Sequence, residues 1–271
     1  MRRLFFILAF ALTTACATPT PRVDLSNTPP TSNPRGALTV YAAASLTGAF
    51  TELGAAFERA HPGTRVEFNF AGSQELVTQL AQGAHADVFA SADLKNMDAL
   101  QKQALVADTP QVFARNKLVV ITPQDNPAGI HALQDLAKPG IKLVVANQSV
   151  PVGNYTLQVL AKLAADANYG AGFQDAVLQN VVSQENNVKQ VASKISLGEG
   201  DAGVVYSTDA QTAADRVRIL DVPDAFNVLA LYPLATVKGA GNPSLAHEWI
   251  AFVLSPPSQA VLNKYGFLPP G

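Results

Sequence analysis

From Leu38 onward, hydrophobic positions switch repeatedly between two periods. Leu38–Ala43 and Val66–Phe70 alternate as strands do, and Ala86–Ala90 reads as a short strand. Leu46, Ala49, Phe50, Leu53 and Phe57 recur at helical spacing, and His61-Pro62-Gly63 stops that helix near Ala60. Helices are also expected over Gln74–Gln82, closed by Gly83, and over Leu94–Gln103. Asn116–Thr122 reads as one buried strand, Leu133–Ala137 as a short helix, and Leu143–Ala146 as a strand leading into a helix through Tyr155–Ala167. Then come a helix at Val188–Gly198, strands at Ala202–Tyr206 and Leu229–Val237, and helices at Ser244–Leu254 and Gln259–Tyr265. Alternating strands and helices predict an α/β fold with mainly parallel sheets. In such sheets, ligands bind beyond the carboxyl ends of the strands.

Five of those strand-to-helix junctions share a character: Ala43-Ala44-Ser45-Leu46-Thr47, Ala71-Gly72-Ser73-Gln74, Ser91-Ala92-Asp93, Gln148 to Gly153, and Tyr206-Ser207-Thr208-Asp209. Each sets small or hydroxylated residues at a helix start. Capping alone accounts for any single one. Several converging in one cleft would make an anion site from free N–H groups, hydroxyls and helix dipoles. Small side chains at "AAASLT" would let an oxyanion touch the backbone.

Composition narrows the function. Of 271 residues, 48% are hydrophobic and 15% charged, enough for a substantial core. From residue 37 onward, 15 Lys and Arg face 20 Asp and Glu, which argues against a nucleic-acid binder. The amino terminus reads as an export signal over residues 1–16. Arg2 and Arg3 precede the apolar run Leu4–Leu12, which is too short for a membrane span. Cys16, the single cysteine, resembles the lipid-attachment site of bacterial lipoproteins. Ordinary cleavage after Ala15-Cys16-Ala17 is the alternative. Residues 17–37, rich in Pro, Thr, Ser and Asn, read as a flexible linker.

Taken in order, AAASLT, FAGS-x-x-L, ADVFASAD, VPVGNY, GDAGVVYSTDA and the C-terminal KYGF resemble the periplasmic molybdate-binding proteins of ABC importers, over residues 38–268. The resemblance implies two α/β lobes of the type II periplasmic-binding-protein fold, with the ligand cleft between them. Lobe 1 would hold residues 38–115 and 230–271, lobe 2 residues 116–229, with crossings near Asn116 and Leu229. It implies capture of molybdate or tungstate and delivery to an ABC permease by an exported monomer, periplasmic or lipid-anchored. It assigns hydroxyl and N–H donors to Ser45 and Ser73, backbone N–H donors to Val152 and Val188, and the phenol of Tyr206. Val152 stands where the family usually has Ala. Gln74-Glu75 also departs from the family, and Glu75 is expected to face away from a dianion. A donor set without Lys or Arg can hold a dianion through many hydrogen bonds, each to a charged group contributing about 1.5–3 kcal/mol. It disfavours a protonated anion, whose proton needs an acceptor.

The other readings are weaker. A binder of sulfate or another oxyanion uses the same chemistry. A hydrolase with Ser45 or Ser73 as nucleophile lacks a base in any motif, since His61, His85, His131 and His247 are scattered, and Gly72-Ser73 lacks a nucleophile elbow. No enzyme activity or cofactor is therefore expected. Asp87, Asp93 and Asp98 read as solvated helix-start carboxylates rather than metal ligands. Gly198-Glu199-Gly200-Asp201 reads as a turn, and Trp249 and Phe252 as core.

Overall fold

A computed structural model describes residues 36–271. The export signal, Cys16 and the linker through residue 35 lie outside the described residues. In chain order the strands are β1 (Gly36–Ala43), β2 (Thr64–Ala71), β3 (Val88–Ala90), β4 (Gln111–Asn116), β5 (Leu118–Pro123), β6 (Leu143–Ala146), β7 (Val181–Glu185), β8 (Ala202–Tyr206), β9 (Val217–Asp221) and β10 (Ala230–Thr236). The helices are α1 (Thr47–Ala60), α2 (Ser73–Ala81), α3 (Leu94–Lys102), α4 (Pro151–Ala164), α5 (Phe173–Gln179), α6 (Val188–Ser196), α7 (Ser207–Thr212), α8 (Pro243–Leu254) and α9 (Pro256–Lys264).

The strands form two five-stranded sheets with matching plans, ordered β2-β1-β3-β10-β4 and β7-β6-β8-β5-β9. In each, four strands point the same way and one, β10 or β5, runs against them, between three mutually parallel strands and a single edge strand. The sheets are thus mixed rather than mainly parallel. The reversed strands, β5 and β10, are the ones the chain enters just after crossing from the other sheet. Asn116–Thr122 is not one strand. β4 ends at Asn116 on the first sheet and β5 begins at Leu118 on the second, with Lys117 between.

Other differences have local causes. β7, β9, α5 and α7 are short, and the two strands have mostly half-exposed or exposed residues, so no apolar run announced them. Helix α4 starts at Pro151, four residues before the expected Tyr155. Proline suits the first helical position because its fixed φ matches and its missing N–H would be unpaired there anyway. Leu133–Ala137 is a 3-10 turn. Strand β1 starts at Gly36, whose N–H bonds the carbonyl of Gly63 at 3.3 Å, so the last two linker residues join the sheet.

Burial follows the pattern that the sequence carries. β5, β6 and β8 are buried at every position, as expected of strands covered on both faces. The apolar face of α1 sets Phe50 and Phe57 edge-on against Trp249 of α8, with ring centroids 5.6 and 5.3 Å apart. Phe68 of β2 joins them at 5.9 Å, and Phe252 stacks on Trp249 at 6.1 Å. This aromatic cluster binds the C-terminal helices to the first sheet. Asp87 and Asp93 are not solvated. Asp87 accepts from the N–H groups of Thr39 and Asn242 at 2.7 and 2.9 Å, and Asp93 caps α3 through the N–H of Asn96 at 2.9 Å. Both are buried, because they pair backbone donors that water cannot reach. Asp98 is exposed.

Trp249 is fully buried at the centre of this cluster. Trp249→Ala is expected to cost about 3–5 kcal/mol of folding free energy, read from the midpoint of urea unfolding.

Candidate functional site

The carboxyl ends of six parallel strands, three from each sheet, meet around one pocket. From the first sheet come Ala43, Ala44 and Ser45 after β1, Ala71, Gly72 and Ser73 after β2, and Ala92 after β3. From the second come Val150, Pro151 and Val152 after β6, Asn187 and Val188 after β7, and Tyr206 at the end of β8. All five residues singled out in the sequence, Ser45, Ser73, Val152, Val188 and Tyr206, line this one pocket, and each is at most 5% exposed. The five junctions read from the sequence are joined by a sixth, Asn186-Asn187. Its strand, β7, alternates only between half-buried and exposed positions and gave no strand signal.

Four helical segments start here: the 3-10 turn Ala44–Leu46, which runs into α1, and helices α2, α4 and α6. The first N–H groups of a helix have no carbonyl behind them to bond. At α4 the capping residue Val150 offers no side-chain acceptor. At α6 the Asn187 side chain accepts only from Gln190, at 3.1 Å. The N–H groups of Val152 and Val188 are therefore left for another acceptor. Ser73 Oγ accepts from the N–H of Ala92 at 3.1 Å, which leaves its proton free to donate.

Tyr206 is decisive for the electrostatics. Its hydroxyl is buried and has no protein partner among the described residues. Burial raises its pKa well above the ordinary phenol value, and Tyr232, Tyr155, Asp93 and Asp209 push in the same direction. The phenol thus remains a proton donor at every physiological pH. No Lys, Arg, Asp or Glu lines the pocket. Its free space is small, about 10 Å³, against about 360 Å³ in the groove beside Val145 and Gln184. In this conformation only a compact ligand fits, not a sugar or a peptide.

Two glycines set the walls. A Cβ on Gly153 would collide with the carbonyls of Ala146 and Asn147, so only glycine lets α4 start so close to β6. A Cβ on Gly72 would collide with the Asn186 carbonyl, which belongs to the opposite wall. Beside it, Gln74 Nε2 donates to that same carbonyl at 2.9 Å and links the two walls directly. Glu75 is exposed, and its Oε1 accepts from Gln79 at 3.4 Å.

Residues 38–268 match the family described as bacterial extracellular solute-binding protein. The chain belongs to that family. The solute-binding protein is 39% identical to the molybdate-binding protein ModA of Mycobacterium tuberculosis strain H37Rv over 247 residues, 89% of this chain and 90% of the relative. Its structure is similar to the periplasmic molybdate-binding protein of Azotobacter vinelandii, with a TM-score of 0.74 at 22% identity, covering 86% of this chain and all of that one. It is also similar to the sulfate-binding protein SubI of Mycobacterium tuberculosis H37Rv, with a TM-score of 0.76 at 18% identity and 87% of each chain covered. At such identities the two structures establish the two-lobed fold of periplasmic binding proteins, a fold whose members bind solutes.

Behind the pocket of this solute-binding protein, the Lys189 ammonium meets the Asp209 carboxylate at 2.9 Å, with Asp209 fully enclosed. Asp209 was read in the sequence only as part of a helix-start junction and Lys189 not at all, since the pairing depends on α6 and α7 lying side by side. Burial raises the Asp209 pKa, and Lys189 works against that rise. Lys189→Met would leave the carboxyl buried without its cation and is expected to cost about 3 kcal/mol at pH 7. The folded pKa would then stand further above the unfolded value of about 3.9, so folding would retain a proton that the unfolded chain releases. The loss should therefore grow as pH rises and shrink toward pH 4, as measured by urea unfolding across that range.

Proposed function

We propose that this solute-binding protein captures molybdate or tungstate outside the cytoplasm and delivers it to the permease of an ABC importer. The observation that carries the reading is the convergence of uncharged donors from five strand ends on one small pocket without a carboxylate in its wall among the described residues. The Ser45, Ser73 and Tyr206 hydroxyls and the N–H groups of Val152 and Val188 would surround the four oxygens. A fully ionised tetrahedral oxide accepts from all of them. Hydrogen phosphate carries a proton that needs an acceptor, of which such a wall has few, so it is disfavoured. The 39% identity to ModA supports molybdate over sulfate, and the likeness to SubI keeps sulfate as the second reading.

In this reading lobe 1 comprises residues 38–115 with 230–271, and lobe 2 residues 116–229. The crossings lie near Asn116 and Leu229, where the chain passes between the two sheets. Contacts from both lobes to one ion stabilise the closed arrangement, with the Gln74 amide as an added clasp. The protein acts as a monomeric carrier rather than as an enzyme and needs no cofactor. Among the described residues, no helix is long and apolar enough to cross a membrane. Attachment would rest on a lipid at Cys16, and mass spectrometry of the mature amino terminus would reveal a lipidated Cys16 or a plain cleaved end.

Molybdate and tungstate are expected to raise the melting temperature by several degrees, sulfate less, and phosphate not at all, because a ligand of the native state stabilises it by mass action. No shift with molybdate or tungstate would refute the assignment. Tyr206→Phe removes a hydroxyl that has no protein partner, so the ligand-free melting temperature should hold. Its affinity for molybdate should fall about tenfold or more, by calorimetric titration.

A further inference from the structure

Ser45 lines the pocket, and its Oγ lies 3.0 Å from the hydroxyl of Tyr232. Tyr232 is fully buried in β10 and does not itself line the pocket. Its oxygen has a second, longer contact, 3.5 Å from Asn116 Nδ2. Asn116 is also fully buried, at the end of β4 where the chain leaves the first sheet.

The directions of these bonds follow from donor and acceptor chemistry. Asn116 Oδ1 lies 2.9 Å from the backbone nitrogen of Lys117, which can only donate, so the atom facing it is the amide oxygen. The Ser207 hydroxyl donates to the same oxygen at 2.9 Å. The amide nitrogen therefore faces the other way, toward Thr208 Oγ1 at 2.9 Å and the Tyr232 oxygen. An amide nitrogen offers protons and accepts none. The Tyr232 proton cannot go to Asn116, and a buried hydroxyl without an acceptor is unfavourable by about 1–3 kcal/mol. Among the described residues the acceptor in reach is Ser45 Oγ. Ser45 thus receives a proton from Tyr232 and has its own to give.

We propose that Asn116 and Tyr232 are positioning residues that hold the Ser45 hydroxyl as a donor toward the pocket and so select anions that carry no proton. This rests on the oxyanion reading above and adds the device that sets the polarity of one of its ligands. Without Tyr232, the serine hydroxyl could turn and accept, which is what hydrogen phosphate needs. The second sheet takes part as well, since Ser207 and Thr208 of α7 hold the amide in place.

The experiment is a double-mutant cycle read by calorimetry with molybdate, together with competition by phosphate. Tyr232→Phe is expected to weaken molybdate about tenfold and to lower the phosphate-to-molybdate ratio of dissociation constants by a similar factor. In a Ser45→Ala background, the same change should have almost no effect on molybdate. Should Tyr232→Phe not fold, Asn116→Asp replaces it. The new carboxylate would draw the Tyr232 proton to itself and leave Ser45 to present lone pairs; its charge repels the anion in both backgrounds, so the readout is the extra loss in chains that keep Ser45 over those carrying Ser45→Ala. An equal loss with and without Ser45, or an unchanged phosphate-to-molybdate ratio, would overturn the proposal while leaving the oxyanion reading intact. A wild-type protein that binds neither molybdate nor tungstate would instead remove the reading on which the proposal rests.

Discussion

Hydrogen-bond donors gathered in a small space, with no charged acceptor among them, are the constraint on which the rest of this molecule depends. An N–H or O–H group taken out of water without a partner is destabilising. This chain places several around one point: the first turns after β1, β2, β6 and β7 and the Tyr206 phenol. In the proposed reading an anion would satisfy them together. Uncharged donors suit the task because they keep the same polarity across physiological pH, and burial holds the phenol protonated. A lysine or arginine would attract any anion, whereas fixed dipoles reward only one whose oxygens meet them.

The two sheets explain how so many helix starts reach one place. Each sheet has the same order, with four strands pointing one way and one reversed, so the carboxyl ends of three adjacent parallel strands of each sheet gather at the pocket. The chain crosses between them at Lys117 and again between β9 and β10. Small residues at the strand ends let the edges approach, and Gly72 is needed where the first wall nears the Asn186 carbonyl of the second. At the first crossing, Asn116 bonds the backbone of Lys117, the α7 hydroxyls and Tyr232. The same residue that marks the passage between sheets is therefore wired to a pocket residue, so that ligand contact and inter-sheet geometry share hydrogen bonds.

Much of the fold was legible because its long elements obey a single period. The stripe of Phe50, Leu53 and Phe57 in α1 and the unbroken apolar runs of β5, β6 and β8 state their structure locally. The edge strands β7 and β9 and the short helices α5 and α7 do not, because their stability comes from a neighbour rather than from their own pattern. Asn116–Thr122 looked continuous because the passage between sheets at Lys117 falls at the polar head of the segment, with no Gly or Pro to mark it, just before the apolar run of β5 begins. Asp87 and Asp93 looked solvated because nothing local shows that the backbone donors of Thr39 and Asn242 come to the first, or that Ser91 and Asn96 fold around the second.

For the pocket, the sequence by itself determined the kinds of group on offer. Hydroxyls, small residues and helix starts at strand ends offer neutral donors, and without a base in any motif the serines had no support as nucleophiles. Only the tertiary structure decided that they face one another, that Tyr206 is left without a protein partner, and that Lys189 and Asp209 neutralise each other just behind. It also decided the direction of the Ser45 proton. That depends on Tyr232, 187 residues away along the chain, and on an amide whose orientation is set by a backbone N–H. Hydrogen-bond direction is a property of the whole connected network, and no stretch of sequence contains the network.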